Sequence, residues 1–138
     1  MKPSTNFVIF SVIIFALWTG FFKFIFNFDE KIVYHEEDFI KYRMLTDKDI
    51  ASVPRISKHY YFVSYPGDGY APANEIVFEE TSDTEEIRAF LHSKGYKRER
   101  HSITENEVWK KPDDSGSEFY LYADKKESKV HLNKISGR

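Results

Sequence analysis

The chain has 138 residues, no cysteine, and a net charge of −2 from 20 Lys+Arg and 22 Asp+Glu. The lack of cysteine excludes disulfides, thiolate metal sites and a cysteine nucleophile. The slightly acidic balance lacks the strongly basic face that nucleic-acid binding demands, so no nucleic acid is expected among the partners.

The first element is the most informative. From Phe7 to Phe22 the chain carries no charge, and Lys23 is the only one before Asp29. An apolar helix crosses the hydrocarbon core in about 20 residues at about 1.5 Å rise each. Lys23 lies near the far end, where its long stem can carry the ammonium to the interface. Residues 7–28 are therefore expected to hold the chain in a lipid bilayer as an uncleaved signal-anchor helix. A cleaved secretory signal fits less well. The apolar run is longer than a signal's usual core, and bulky Phe21, Phe22 and Phe24 follow Gly20 where a small-x-small site would be needed. A buried soluble helix fits least, because the segment is apolar on every side. The positive residues Lys31, Lys41 and Arg43 lean towards a cytoplasmic C-terminal part. Large domains nevertheless translocate largely regardless of charge. The N-terminal position favours a C-terminal domain outside the cytoplasm, in the periplasm of a bacterial cell with the helix in the inner membrane.

The 110 residues after Phe28 suffice for one modest core. They are unevenly charged. Residues 29–93 hold 7 Lys/Arg against 14 Asp/Glu, and residues 94–138 hold 11 against 8, so the two halves can attract each other. Residues 29–57 read as a juxtamembrane segment with a short strand at Lys31–His35. A short helix follows, opened by Thr46-Asp47-Lys48-Asp49 as a variant capping box and closed by Pro54.

Residues 58–138 read as a compact α+β domain. Lys58–Tyr65 predicts a strand, aromatic and β-branched on both faces and ended by Pro66-Gly67. Pro66–Asn74 is a loop with two Gly and two Pro, and Glu75–Glu79 a short strand. The clearest helix follows at Thr84–Lys94. Ser82 or Asp83 would cap it, Glu85 and Glu86 suit its dipole, and Gly95 suits the turn that ends it. Ile87, Phe90 and Leu91 form its apolar stripe, so all three are expected in the core, with Phe90→Ala costing about 3–5 kcal/mol. Strands at Tyr96–Ile103, Glu107–Lys111, Glu118–Ala123 and Lys129–Ile135 complete the pattern, the last three as an antiparallel meander. The expected fold is thus α+β: a transmembrane helix, then one main helix on a largely antiparallel sheet of about five or six strands.

The chemistry-bearing motifs are sparse. His35-Glu36-Glu37-Asp38 has no second His four residues on, so it reads as a solvated acidic linker rather than a metal box. The five histidines are scattered at no ligand spacing, although His101 and His131 could meet across strands. No serine sits in a Gly-x-Ser-x-Gly turn. Tyr60, Tyr61, Tyr65, Phe119, Tyr120 and Tyr122 have the ring chemistry to stack bases, but sheet packing is the plainer reading. Gly67-Asp68-Gly69-Tyr70 lacks the third glycine of a phosphate loop, so a plain turn or a recognition loop remains. In the recognition case, Asp68 and Tyr70 are the partner-binding residues.

No catalytic residue, metal site or cofactor is expected. The function expected is a single-pass, membrane-anchored, non-catalytic protein-interaction module with an unknown protein partner. Its rivals are a toxin-immunity or inhibitor protein at the membrane, a small tethered hydrolase, and an accessory subunit whose span packs in a larger complex. The last would use the weak Ser11–Thr19 polar stripe.

Overall fold

A computed structural model describes residues 2–26, 31–67, 71–100, 106–112 and 116–137. The N-terminal segment forms α1 (Thr5–Phe26), of which Thr5–Phe24 is long and apolar enough to cross a membrane. Length and composition suit a membrane span and equally a signal sequence. A core helix would be mostly buried in the fold, and no residue of the most apolar window of this stretch is buried. Its hydroxyls serve the helix itself: Ser11 Oγ donates to the Phe7 carbonyl and Thr19 Oγ1 to that of Ala16. Phe22 is half-buried and packs against the core of the domain that follows.

That domain is α+β. Its strands are β1 (Ile32–Tyr34), β2 (Tyr60–Tyr65), β3 (Ala73–Glu79), β4 (Lys97–Arg98), β5 (Glu107–Lys110), β6 (Glu118–Asp124) and β7 (Lys129–Ile135). They form a seven-stranded sheet in the order β1-β2-β3-β7-β6-β5-β4, with every pairing antiparallel. The sheet thus has one or two more strands than expected. β1 falls within the strand expected at Lys31–His35 and β4 within that expected at Tyr96–Ile103; both are shorter than expected, and each takes its hydrogen bonds from a longer neighbour. Two meanders, β1–β3 and β4–β7, meet along the β3–β7 seam.

Three short helices cover one face. They are α2 (Phe39–Leu45), α3 (Lys48–Ala51) and α4 (Glu85–Ser93). The sequence reading did not foresee α2. It has two turns, with Tyr42 set edge-on against Phe62 at 5.2 Å and Leu45 against the core, while Phe39, Ile40 and Met44 are exposed. The cap of α3 is Asp47, not Thr46. The Asp47 carboxylate accepts from Asp49 N at 2.8 Å, while the Thr46 hydroxyl pairs with Tyr34 Oη at 2.9 Å. At α4 the N-cap is Thr84, which makes no side-chain cap bond. Asp83 Oδ1 accepts from Glu85 N at 3.0 Å and does that work one residue earlier.

The core lies between these helices and the sheet. Phe62, Ile76, Phe78, Leu121 and Leu132 rise from the strands, and Ile50, Ile87 and Leu91 descend from the helices. Each such side chain contributes about 1.5–3 kcal/mol by leaving water. Phe90 is only half-buried, against the expectation. Ile87 and Leu91, four apart, point straight at the sheet, which leaves Phe90 on the flank beneath the Lys94 ammonium at 5.7 Å. Gly95, at φ 89°, ends α4 in the left-handed region where no Cβ penalty arises. The segment 29–57 shares this core through Ile32, Tyr34, Ile50 and Val53. The predicted strand Tyr96–Ile103 is observed as β4 with buried Tyr96 before it, and residues 101–105 lie outside the described part.

Candidate functional site

Strand side chains alternate between faces. On β2, Tyr60, Phe62 and Ser64 point to the helices, and Tyr61, Val63 and Tyr65 point away. Register carries this alternation across the sheet. One row on the outer face runs Tyr61–Val77–His131–Tyr122, and the next runs Val63–Glu75–Asn133–Tyr120. A third runs Tyr65–Ala73–Ile135–Glu118. All three short helices lie on the opposite face, so among the described residues no helix of the domain covers this one. At about 4.8 Å per strand step, Tyr61 and Tyr122 flank a strip about 14 Å wide.

The centre of that strip is polar and well held. The side chain of Glu75 is 10% exposed, with Oε1 2.8 Å from His131 Nδ1 and Oε2 accepting from Tyr65 Oη at 2.9 Å. Burial, aided by the Glu75 charge, pushes the Tyr65 phenol up to about 12, so it stays protonated and donating. The rings of Tyr122 and His131 lie 6.0 Å apart. Tyr120 Oη donates to Glu118 Oε2 at 2.7 Å, and Lys110 Nζ reaches Glu118 Oε1 at 2.9 Å. The hydrogen bonds from Lys110 and then Tyr120 hold the Glu118 carboxyl below its usual range. Asn133 Oδ1 is buried among these groups and makes no hydrogen bond. Val63 and Val77 lie on this uncovered face and are still almost dry, 4% and 1% exposed, because the larger side chains around them shoulder out water.

Two other charged clusters are structural. Lys134 Nζ is clamped by Asp47 at 3.0 Å and Asp49 at 2.8 Å, on the helix side of the β3–β7 seam. Burial pulls the Lys134 ammonium down, but the bonds from Asp49 and Asp47 outweigh it and leave its pKa raised. Arg88 of α4 bonds to Glu107, whose carboxylate also accepts from Trp109 Nε1 at 3.2 Å. A cleft of about 440 Å³ opens between α2 and the ends of β1 to β3, lined by Ile32, Met44, Leu45, Thr46, Ser64 and Pro72 among others.

Asp68 and Tyr70, with Gly69 between them, lie outside the described residues, as does His101. The first two fall between Tyr65, the end of β2, and Ala73, the start of β3, both on the outer face, so β3 begins two residues earlier than the expected Glu75 and takes in the end of the expected Pro66–Asn74 loop. The acidic run 35–38 does not converge: Glu36 bonds to Tyr60 Oη and meets Arg55 at 3.6 Å, while Asp38 accepts from His35 N at 3.1 Å. Among the described residues no group of three or more His, Cys, Asp or Glu could hold a metal ion. The six aromatics considered for stacking divide by face, with Tyr60 and Phe119 turned to the core side and Tyr61, Tyr65, Tyr120 and Tyr122 outward. Sequence reasoning missed Glu75, His131 and Asn133, because only register brings them together. No protein-family model, curated protein or solved structure matches the chain.

Proposed function

We propose that this chain is a single-pass, membrane-anchored, non-catalytic protein-interaction module. Residues 7–28 hold it in a bacterial inner membrane, and the domain works in the periplasm. The observation that carries this reading is the open outer face, on which Tyr61, Tyr120 and Tyr122 surround Glu75, His131 and Asn133. Tyrosine contributes large, rigid contact area at low entropic cost, which is why it is frequent at binding hot spots. A flat, two-dimensional array of such groups suits a folded protein surface better than a small molecule, which is bound in a concave site. Glu75 and His131 form a carboxylate–imidazole pair, but Glu75 is also committed to Tyr65. No serine or threonine hydroxyl among the described residues is bonded to His131, and this supports a binding role over nucleophilic catalysis. Asp68 and Tyr70 are the further candidate contacts at the Tyr65–Ala73 end.

Site-specific photocrosslinking in intact cells tests the reading. A photoreactive residue replacing Tyr61 or Tyr122 should give one discrete protein adduct, and the same residue at Glu86, exposed on α4, should not. Equal adducts from Glu86, or none from the tyrosine positions, would overturn it.

A further inference from the structure

We infer that α2 is a second membrane attachment, lying in the headgroup region of the same bilayer that α1 crosses. This rests on the reading of α1 as an uncleaved span. The helix has two apolar faces of different kinds. Tyr42 and Leu45 point into the domain, and Phe39, Ile40 and Met44 point out, 67%, 60% and 57% exposed. Outside the α1 segment, Val33 at 49% completes the set of exposed large apolar side chains among the described residues. Exposed apolar groups gathered on one helix mark an interaction surface.

The position of α2 selects the occupant. Only residues 27–31 separate the end of α1 from Ile32, so Ile32 lies at most about 20 Å from Phe26 along the chain. Phe22 packs against the domain core, which keeps the last turns of α1 on the domain. Met44 and Leu45 line the same cleft as Ile32, so the C-terminal end of α2 is beside the start of β1, the first described strand after α1. The helix is about 10 Å long, which leaves its outer stripe within reach of the headgroup layer.

Charge agrees with this placement. Arg43 projects on the exposed side with the apolar stripe and is itself exposed, Lys41 is half-buried beside it, and Lys31 precedes β1. Long basic stems over an apolar stripe suit an interface whose lipids are anionic. The acids Glu36 to Asp38 precede the opposite end of α2. Glu36 is turned to Tyr60 and Arg55, and Asp38 to the backbone of His35.

The absence of cysteine makes a depth measurement clean. Single-cysteine variants of the full chain, Ile13→Cys, Ile40→Cys, Met44→Cys and Lys125→Cys, would carry a nitroxide in vesicles of phosphatidylcholine and phosphatidylglycerol. Accessibility to oxygen and to a water-soluble nickel chelate reports depth. The expected order is Ile13 at the bilayer centre, Ile40 and Met44 at the headgroup–acyl boundary with nickel access several-fold below that of Lys125, and Lys125 in water. Adding Ile40→Glu should move the Met44 label towards water.

Ile40 and Met44 labels as wet as Lys125, with Ile13 deep, would overturn the inference and leave the span standing. A wet Ile13 label would remove the span itself. Spin–spin broadening between copies labelled at Met44 would assign the stripe to a second copy of the chain, and so also overturn the inference.

Discussion

Glu75 and His131 meet at 2.8 Å although they are not register partners. Glu75 stands opposite Asn133 and His131 opposite Val77, so the carboxylate reaches diagonally across the β3–β7 seam. Such diagonal neighbours are within reach of long side chains. The contact ties the N-terminal meander to the C-terminal one on the outer face, as Asp47 and Asp49 do with Lys134 on the inner face. Glu75→Ala leaves the Tyr65 hydroxyl and His131 Nδ1 without their acceptor, and should cost about 1–3 kcal/mol in urea unfolding. A double-mutant cycle with His131→Ala should show coupling of at least about 0.5 kcal/mol, and strict additivity would remove the contact from the account.

The α4 stripe gives a graded test. Leu91 is 0% exposed, so Leu91→Ala should cost about 2–5 kcal/mol. Phe90 lies on the flank, and Phe90→Ala should cost clearly less than the about 3–5 kcal/mol typical of a buried ring. Denaturant midpoints of the two variants decide the order, and equal losses would place Phe90 in the core after all.

Alkaline pH should loosen the fold. Burial and Glu75 raise the Tyr65 phenol to about 12, and the carboxylates of Asp49 and Asp47 raise Lys134. Both folded-state pKa values lie above the unfolded ones, so both contributions are whole below pH 10 or so and fade as pH rises through the folded values. Stability should therefore fall between about pH 10 and about 12, and Tyr65→Phe should flatten that decline. An unchanged slope in Tyr65→Phe would contradict the assignment.

Ser128 has φ 51° in the turn between β6 and β7, where Asp124 Oδ1 accepts from Lys126 N at 2.9 Å and Glu127 N at 3.1 Å. A non-glycine residue in the left-handed region is strained by about 1–2 kcal/mol. Ser128→Gly should raise the unfolding midpoint by a fraction of that, because glycine also loses more backbone freedom on folding.

The anchor and its orientation have direct readouts. Full-length protein should stay with membranes through carbonate washing, and a reporter active only in the periplasm should be active when fused after Arg138. Recovery of a mature protein shortened by about 20 residues, the length of a membrane-crossing helix, would mean a cleaved signal. A silent reporter would mean that Lys31, Lys41 and Arg43 had oriented the domain into the cytoplasm.

The local elements with a strong period were legible in the sequence: the apolar helix α1, the aromatic strand β2, α4 with its terminal Gly95, and the β5–β7 meander. Each is specified by residues close together in the chain, through 3.6-fold or twofold alternation and turn chemistry. Its existence does not depend on what it packs against. The helix α2, the short extent of β1 and β4 within their expected strands, and the flank position of Phe90 became visible only in the tertiary structure. Their stability comes from a partner strand or a core surface supplied by distant residues. The same holds for the candidate site. The abundance of tyrosine is plain in the chain, yet the strand Tyr60–Tyr65 is aromatic on both faces, so alternation alone does not say which rings face outward. Register across β2, β3, β7 and β6 sorts Tyr61, Tyr120 and Tyr122 to one side. It also brings together Glu75 and His131, 56 positions apart, because antiparallel pairing ties distance in space to strand order and not to distance in sequence.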